Sequence, residues 1–400
     1  MFMFNEPAHV QTAAPRPVTV YFLDWMKTEV LTPETRRRAL KQFDRLAAVA
    51  SPVARLKMTP QTPPYHAEGE MVADHVMRVL AGLDAFSRGV SLANVEEFIR
   101  EKDFLLELHA LEGTLQTQAA FLAAYAVCHD VAKADGVVFE AQPGSAGEVQ
   151  GFAVRAPKIA SEPEKVRYDK LRRAHAAKNS QTSFFDAYGI TVHYRDHSRL
   201  GASDEYASTR EAVLAELEVP LSHAKVFAEL IRAHMDVIHG FAQGPDPVKY
   251  RALAAIAERA GVHVPVFLDF LPATVFLDAV LGSLLYVKGE YKVDFQILFN
   301  LFRSEREAMP ERHQARAEAL RRGRKLEAQQ ALEAANIDAE AVFELLETPY
   351  GPVRGQVMAK IHQLIRDPHG TVDFGEHTAE LRRRAQVAHK LLAAEHLTLD

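Results

Sequence analysis

Phe121-Leu-Ala-Ala-Tyr-Ala-Val-Cys-His-Asp-Val-Ala-Lys133 is apolar nearly all the way round a helix until its last turn. A helix without a polar face belongs in a core. This one carries His129 and Asp130 into that core. A buried carboxylate needs a partner or a cation, because desolvating it alone costs several kcal/mol. Adjacent helical residues diverge by about 100°, so the pair can approach one ion from two sides or bridge two. Lys133 lies one turn after Asp130 on the same face, where it can reach a phosphate. The dipeptide by itself says little: a chain with 18 histidines contains roughly one His-Asp pair by chance.

Working outward, other metal-type residues interrupt apolar stripes. His75 sits between Val72 and Val79 at helical spacing, His234 continues Phe227, Leu230, Ile231 and Ile238, and Asp278 breaks the line Leu271, Val275, Gly282, Leu285. Any one of them reads most simply as a hydrogen-bonded core residue. Three such positions plus the His-Asp pair, on four helices, are explained more economically by a shared metal centre. His and Asp suit a hard-to-borderline divalent ion and need no thiolate. The single cysteine, Cys128, excludes a disulfide framework and a cysteine-based zinc cage. Its apolar neighbours make it core rather than nucleophile.

The rest of the chain sets the class. Thr32-Pro33-Glu34 reads as an N-cap, first-turn Pro and first-turn acid, opening a helix to about residue 50. Pro60-Gln-Thr-Pro-Pro-Tyr65 is a stiff connector. Helical periodicity dominates from residue 70 onward, including helices over 203–217, 220–239, 248–260, 271–288, 355–365 and 376–394. Residues 136–156 depart from it and read as a small hairpin. The fold class is mainly α: a helical bundle with a small inserted hairpin and a C-terminal helical domain. The expected division is an N-terminal tail and helices (1–59), a metal-binding domain (60–290, with an insert at 136–190) and a C-terminal domain (291–400). A net charge of −6 argues against a general nucleic-acid-coating protein. No run of about 18 uninterrupted apolar residues is present, and no secretory signal is visible, so no membrane role and a cytoplasmic location are expected.

In chain order these motifs resemble the HD superfamily of metal-dependent phosphohydrolases, and within it the HD domains attached to bacterial tRNA nucleotidyltransferases and poly(A) polymerases. Pro60-Gln-Thr-Pro-Pro-Tyr-His-Ala-Glu-Gly-Glu-Met-Val-Ala-Asp-His75 resembles that branch's Pro-rich turn, His-x-Glu and first metal histidine. His129-Asp-Val-Ala-Lys133 resembles its His-Asp-x-Gly-Lys, His197-Ser-Arg-Leu-Gly-Ala202 its His-Glu-x-x-Gly-Ala, and Leu230-Ile-Arg-Ala-His-Met235 its Leu-Val-x-x-His-Met. The stretch from Ile337 to Met358, with Pro349-Tyr-Gly-Pro352, resembles the tail of those enzymes. Ala132 and Ser198 depart from the family's Gly and Glu, and His193 competes with His197 for its role. The 59 residues ahead of the motifs hold no Asp-x-Asp pair and are too few for a nucleotidyltransferase head, so polymerisation is not implied.

The resemblance implies one or two divalent ions (Mg, Mn, Ni, Co or Fe). His75, His129, Asp130 and Asp278 hold the first, and His197 and His234 complete a second bridged through Asp130. It implies hydrolysis of a phosphomonoester or phosphodiester, including 2′,3′-cyclic phosphates of nucleotides or RNA ends, with Asp130 and Lys133 catalytic. Two basic stretches are candidate contacts for RNA or tRNA: residues 155–178, with eight Lys/Arg against three acids, and 302–325, with eight against four. A solvated helix face is the ordinary reading of each. Lys133, Arg172 and Arg173 are the expected substrate-phosphate contacts. Two other classes remain open at this point: a non-catalytic RNA-binding protein with an HD fold, and an HD-type di-iron oxygenase.

Overall fold

A computed structural model describes residues 18–63, 65–92, 104–155, 158–178, 183–287, 290–366 and 371–386. Among these, 72% lie in helices and 5% in strands, so the class is mainly α. The chain forms two compact units, Met1–Pro310 and Glu311–Asp400.

The first unit is built around the helix quoted above. In the helix Ala119–Cys128 every residue from Phe121 onward is buried. It packs on the His75 helix, Val72–Ser87, and against Ala224–Phe241, which carries His234. Thr32 caps the helix Pro33–Val49, its hydroxyl accepting the Thr35 N–H. That helix lies along the His75 helix through Ala39, Phe43 and Leu46, so the N-terminal helices are part of this unit rather than an appendage. The domain boundary also moves. Gln296–Ala308 sinks Leu298, Leu301 and Phe302 into the same core, and the division falls after Pro310 rather than at 290.

Two local expectations are corrected. Among the described residues of 136–156 no hairpin closes. Strand β1, Val137–Ala141, pairs antiparallel with β2, Ile190–Tyr194, from the far end of the insert, with Phe139 opposite Val192. The intervening chain packs a satellite core of Phe152, Tyr168 and Phe184 under that ribbon, so side-chain burial rather than a tight turn selects the partner. The second correction concerns 271–288. The helix Val264–Val275 widens into a π-helical segment, Phe276–Gly282, and then gives way to an antiparallel pair, β3 Leu285–Val287 and β4 Glu290–Lys292. By length and composition Val264–Gly282 is apolar enough to cross a membrane, yet 78% of it is buried inside this unit. It is a core segment of this unit.

The second unit has its own core, Leu332, Ile337, Val342, Ile361, Leu364 and Leu381. Its helices include Pro310–Ala334, Ala339–Leu345 and Pro352–Arg366. The expected helix at 376–394 is described only to residue 386.

Candidate metal centre

Five elements bring the six predicted ligands together in the first unit. His75 lies one turn into its helix, His129 and Asp130 follow the last turn of the buried helix, His234 sits mid-helix, and Asp278 rides on the π-helical segment. His197 opens a short helix, His197–Ala202, after Asp196 turns the chain with φ at 49°. All six are buried, Asp278 being the most exposed at 8%. His193, the competitor, is on β2 with its Nε2 3.5 Å from Glu140 and is 40% exposed, outside this cluster.

The ring nitrogens are sorted by their partners. His129 Nδ1 donates to the Ala126 carbonyl at 3.0 Å, His234 Nδ1 to Ile231 at 2.6 Å, and His197 Nδ1 faces Tyr194 O at 3.4 Å. His75 Nδ1 lies 3.3 Å from the Glu68 carboxylate. With Nδ1 protonated, each neutral ring presents a lone pair at Nε2. All four Nε2 atoms turn inward. His75 Nε2 is 3.5 Å and His129 Nε2 3.8 Å from Asp278 Oδ1, and His129 Nε2 is 3.4 Å from Asp130 Oδ2. On the other side, His197 Nε2 is 3.6 Å from Asp130 Oδ1 and 3.1 Å from His234 Nε2.

These separations fit metal ligation. Donor atoms at about 2.1 Å from one ion, at right angles, lie about 3 Å apart. With both rings protonated on Nδ1, the Nε2 lone pairs of His197 and His234 meet at 3.1 Å, a contact that a cation between them would relieve. Burial, together with His234 and Lys133, holds His197 well below the usual imidazole range, so the ring is neutral and able to ligate. Asp130 Oδ2 meets the Lys133 ammonium at 2.8 Å, but His129 Nε2 and Asp130 Oδ1 lack hydrogen-bond partners, and stranding such groups without a cation is costly. Burial alone pushes the Asp130 carboxyl up, but His129, Lys133, His75 and His197 outweigh it and hold it ionised. Asp278 is likewise held down against burial by His129 and His75. Burial depresses His129 to about 4, leaving it neutral and able to ligate. The buried His/Asp groups can hold a metal ion, as two donor sets sharing Asp130.

The sequence reading quoted Glu68 only as part of a motif and gave it no role. It is a buried carboxylate whose Oε1 faces both His75 Nδ1 and His66 Nδ1, the latter at 2.8 Å, while Oε2 accepts the Leu284 N–H at 3.0 Å. Burial raises its pKa, but the two imidazoles overcome that and hold it below the carboxylate range. A carboxylate behind a ligating histidine fixes the tautomer and ring orientation. Gly282 closes the other side: a Cβ there would meet His75 Cε1 at 2.5 Å, which lets the π segment press directly on the ligand.

Lys133 Nζ lies 2.8 Å from Asp130 Oδ2 and 4.8 Å from the centre of the Tyr194 ring. The ammonium is therefore at the edge of the cluster, as expected. Arg172 and Arg173 are instead held in ion pairs. Arg172 pairs with Glu70 and Asp169, and Arg173, 75% exposed, pairs with Asp169 on its own helix, Glu162–Ala177. Both border a cleft of about 550 Å³ whose other cations, Arg55, Lys57 and Lys165, are paired with Asp135, Asp44 and Glu162. The stretch 302–325 is not one surface either: Arg306 is consumed by a bidentate pair with buried Glu107 inside the first unit.

No protein-family model, curated protein or solved structure matches this chain.

Proposed function

We propose that this protein is a metal-dependent phosphohydrolase of the HD type that acts on phosphomonoesters or phosphodiesters. The observation that carries the reading is the pair of donor sets sharing the Asp130 carboxylate, with the Lys133 ammonium 2.8 Å from it. His75, His129, Asp130 Oδ2 and Asp278 make the first set, and Asp130 Oδ1, His197 and His234 the second. The order of the motifs along the chain supports the same reading.

Divalent ions held there would supply Lewis acidity at a phosphoryl oxygen and lower the pKa of water to about 7. Four imidazoles favour Mn, Fe, Co or Ni over Mg, which prefers oxygen ligands. With Oδ2 facing one donor set and Oδ1 the other, the Asp130 carboxylate would offset the charge of two ions held close together. Lys133 adds positive charge where phosphoryl charge develops. Glu68 and the carbonyls of Ala126 and Ile231 keep the imidazoles aimed inward, so little reorganisation is needed. The proposed substrates are phosphate-bearing small molecules or RNA ends, 2′,3′-cyclic phosphates among them.

Metal analysis of purified protein beside hydrolysis of 2′,3′-cyclic AMP and bis(p-nitrophenyl) phosphate, across Mn, Fe, Co, Ni and Mg, tests this. Up to two ions per chain and metal-dependent release of phosphomonoester or phosphate are expected. Protein that holds metal yet cleaves none of these esters refutes the hydrolase reading and moves the oxygenase ahead.

A further inference from the structure

Lys133 is a buried ammonium, 5% exposed, whose carboxylate partner is Asp130 Oδ2 at 2.8 Å. That oxygen also faces His129 Nε2 at 3.4 Å, in the first donor set. One oxygen is therefore shared between the ammonium and the donor set. A lysine is a compact charge on a flexible stem, and a single contact of this kind does not orient it. A second contact is aromatic: Lys133 Nζ sits over the ring of Tyr194, 4.8 Å from its centre. We propose that Tyr194 is a positioning residue, the face of its ring holding the Lys133 ammonium at the edge of the metal centre, where a substrate phosphoryl group would meet it. The inference rests on the phosphohydrolase reading above and deepens it.

The ring is itself fixed at both ends. Tyr194 closes strand β2, opposite Val137 on β1, so the ribbon sets its backbone. At the far end its hydroxyl donates to the Pro60 carbonyl in the stiff connector, and Pro60 bridges to Met71 at the start of the His75 helix. Between these points the ring packs against both the main core and the satellite core of the insert. The chains that carry the two groups run in contact. Arg195 N–H donates to Gly136 O at 2.9 Å, and a Cβ at Gly136 would meet Arg195 O at 2.5 Å. Gly136 ends the turn that carries Lys133, so ammonium and ring belong to one joint.

The chemistry of the ring suits that task. A desolvated ammonium is drawn to an aromatic face by the ring quadrupole, more strongly than in water. A ring face holds the charge without adding a second anion that would cancel it, so the ammonium keeps its charge for a phosphoryl oxygen. Burial, with Asp130, Tyr168 and Glu68 around it, holds the Tyr194 phenol well above its usual range, so the ring meets the ammonium as a neutral face. The main chain of the same residue adjoins the second donor set, where Tyr194 O faces His197 Nδ1 at 3.4 Å. The end of the insert's ribbon thus adjoins both the ammonium and a ligating imidazole.

The test uses the full chain loaded with Mn and bis(p-nitrophenyl) phosphate. Tyr194→Leu should lower turnover about 5- to 30-fold, with ion content near the parent value. Tyr194→Phe, which keeps the ring, should return turnover to within about threefold of the parent. On a Lys133→Ala background Tyr194→Leu should cost less than about twofold, because the group it positions is gone. A ring that only filled the junction between two cores would cost the same on both backgrounds. A second readout needs no catalysis. In the full chain with isotope-labelled lysines and no paramagnetic ion, the Lys133 protons beside Nζ, assigned through Lys133→Ala, should be shifted upfield by the ring. That shift should vanish in Tyr194→Leu and persist in Tyr194→Phe. Tyr194→Met is the second non-aromatic replacement, and circular dichroism checks each fold. An unmoved Lys133 signal in Tyr194→Leu, or an equal loss of turnover with and without Lys133, overturns the proposal. A shift that follows the ring in a protein that cleaves no phosphoester sinks the hydrolase reading and leaves the Lys133–Tyr194 contact standing; ester cleavage with an unmoved signal does the reverse.

Discussion

The metal cluster and the basic face of the insert helix are both dense in charge, and the structure treats them in opposite ways. Asp130 is 1% exposed, its Oδ2 beside the Lys133 ammonium at 2.8 Å and its Oδ1 without a hydrogen-bond partner, whereas Arg173 is 75% exposed and paired with Asp169 one turn away. An ion pair in water contributes little, typically below 1 kcal/mol. A desolvated carboxylate among imidazoles persists only if something compensates it. Burial and the partners it leaves a charge, rather than charge itself, therefore separate a candidate site from a solvated face.

The sharpest way to break that contrast is Asp130→Ala. It removes the group common to both donor sets, so ion content and hydrolysis should fall together to background, read by metal analysis beside an ester assay. Full metal with full activity would dissolve the distinction between the regions. Asp130→Asn keeps the shape and isolates the charge. Lys133→Ala comes next: ion content is expected to stay near the parent value while turnover drops roughly 10- to 1000-fold. Loss of the ions instead would make Lys133 a scaffold for Asp130.

Glu68→Gln probes the support behind His75. The amide keeps an acceptor but loses the charge, and metal affinity should weaken about 10- to 100-fold, measured by competition with a chelator. An unchanged affinity would reduce Glu68 to a loop anchor for Leu284. The smallest effect belongs to Arg173→Ala, whose stability change should stay within about 0.5 kcal/mol in a denaturant titration, with metal content and ester cleavage unaltered. A large loss of cleavage there would return the insert's basic face to the site.

How legible this was differs from residue to residue. His75, His129, Asp130, His234 and Asp278 were readable because each interrupts an apolar stripe, and a helix's periodicity states which face is buried. His197 required the resemblance, since its helix is a six-residue turn too short to show a stripe. Glu68 sits in a loop, where no periodicity marks a buried face. The π-helical turn at Asp278 was hidden because its composition matches the helix before it; the change shows only in the Ser283 N–H bonding back to Asp278 O at 2.9 Å.

By itself the sequence determined the mainly helical class, the buried central helix and five of the residues that converge, because helix formation and burial follow from residue patterns within a few turns. The tertiary structure alone decided that β1 pairs with β2 rather than with its sequence neighbour, that Glu68 stands behind His75, and that Arg172 and Arg173 are neutralised. Each of those is a choice among partners distant in sequence or on a neighbouring turn. Local pattern fixes which face is buried, but the group that meets it is selected only when the whole core closes.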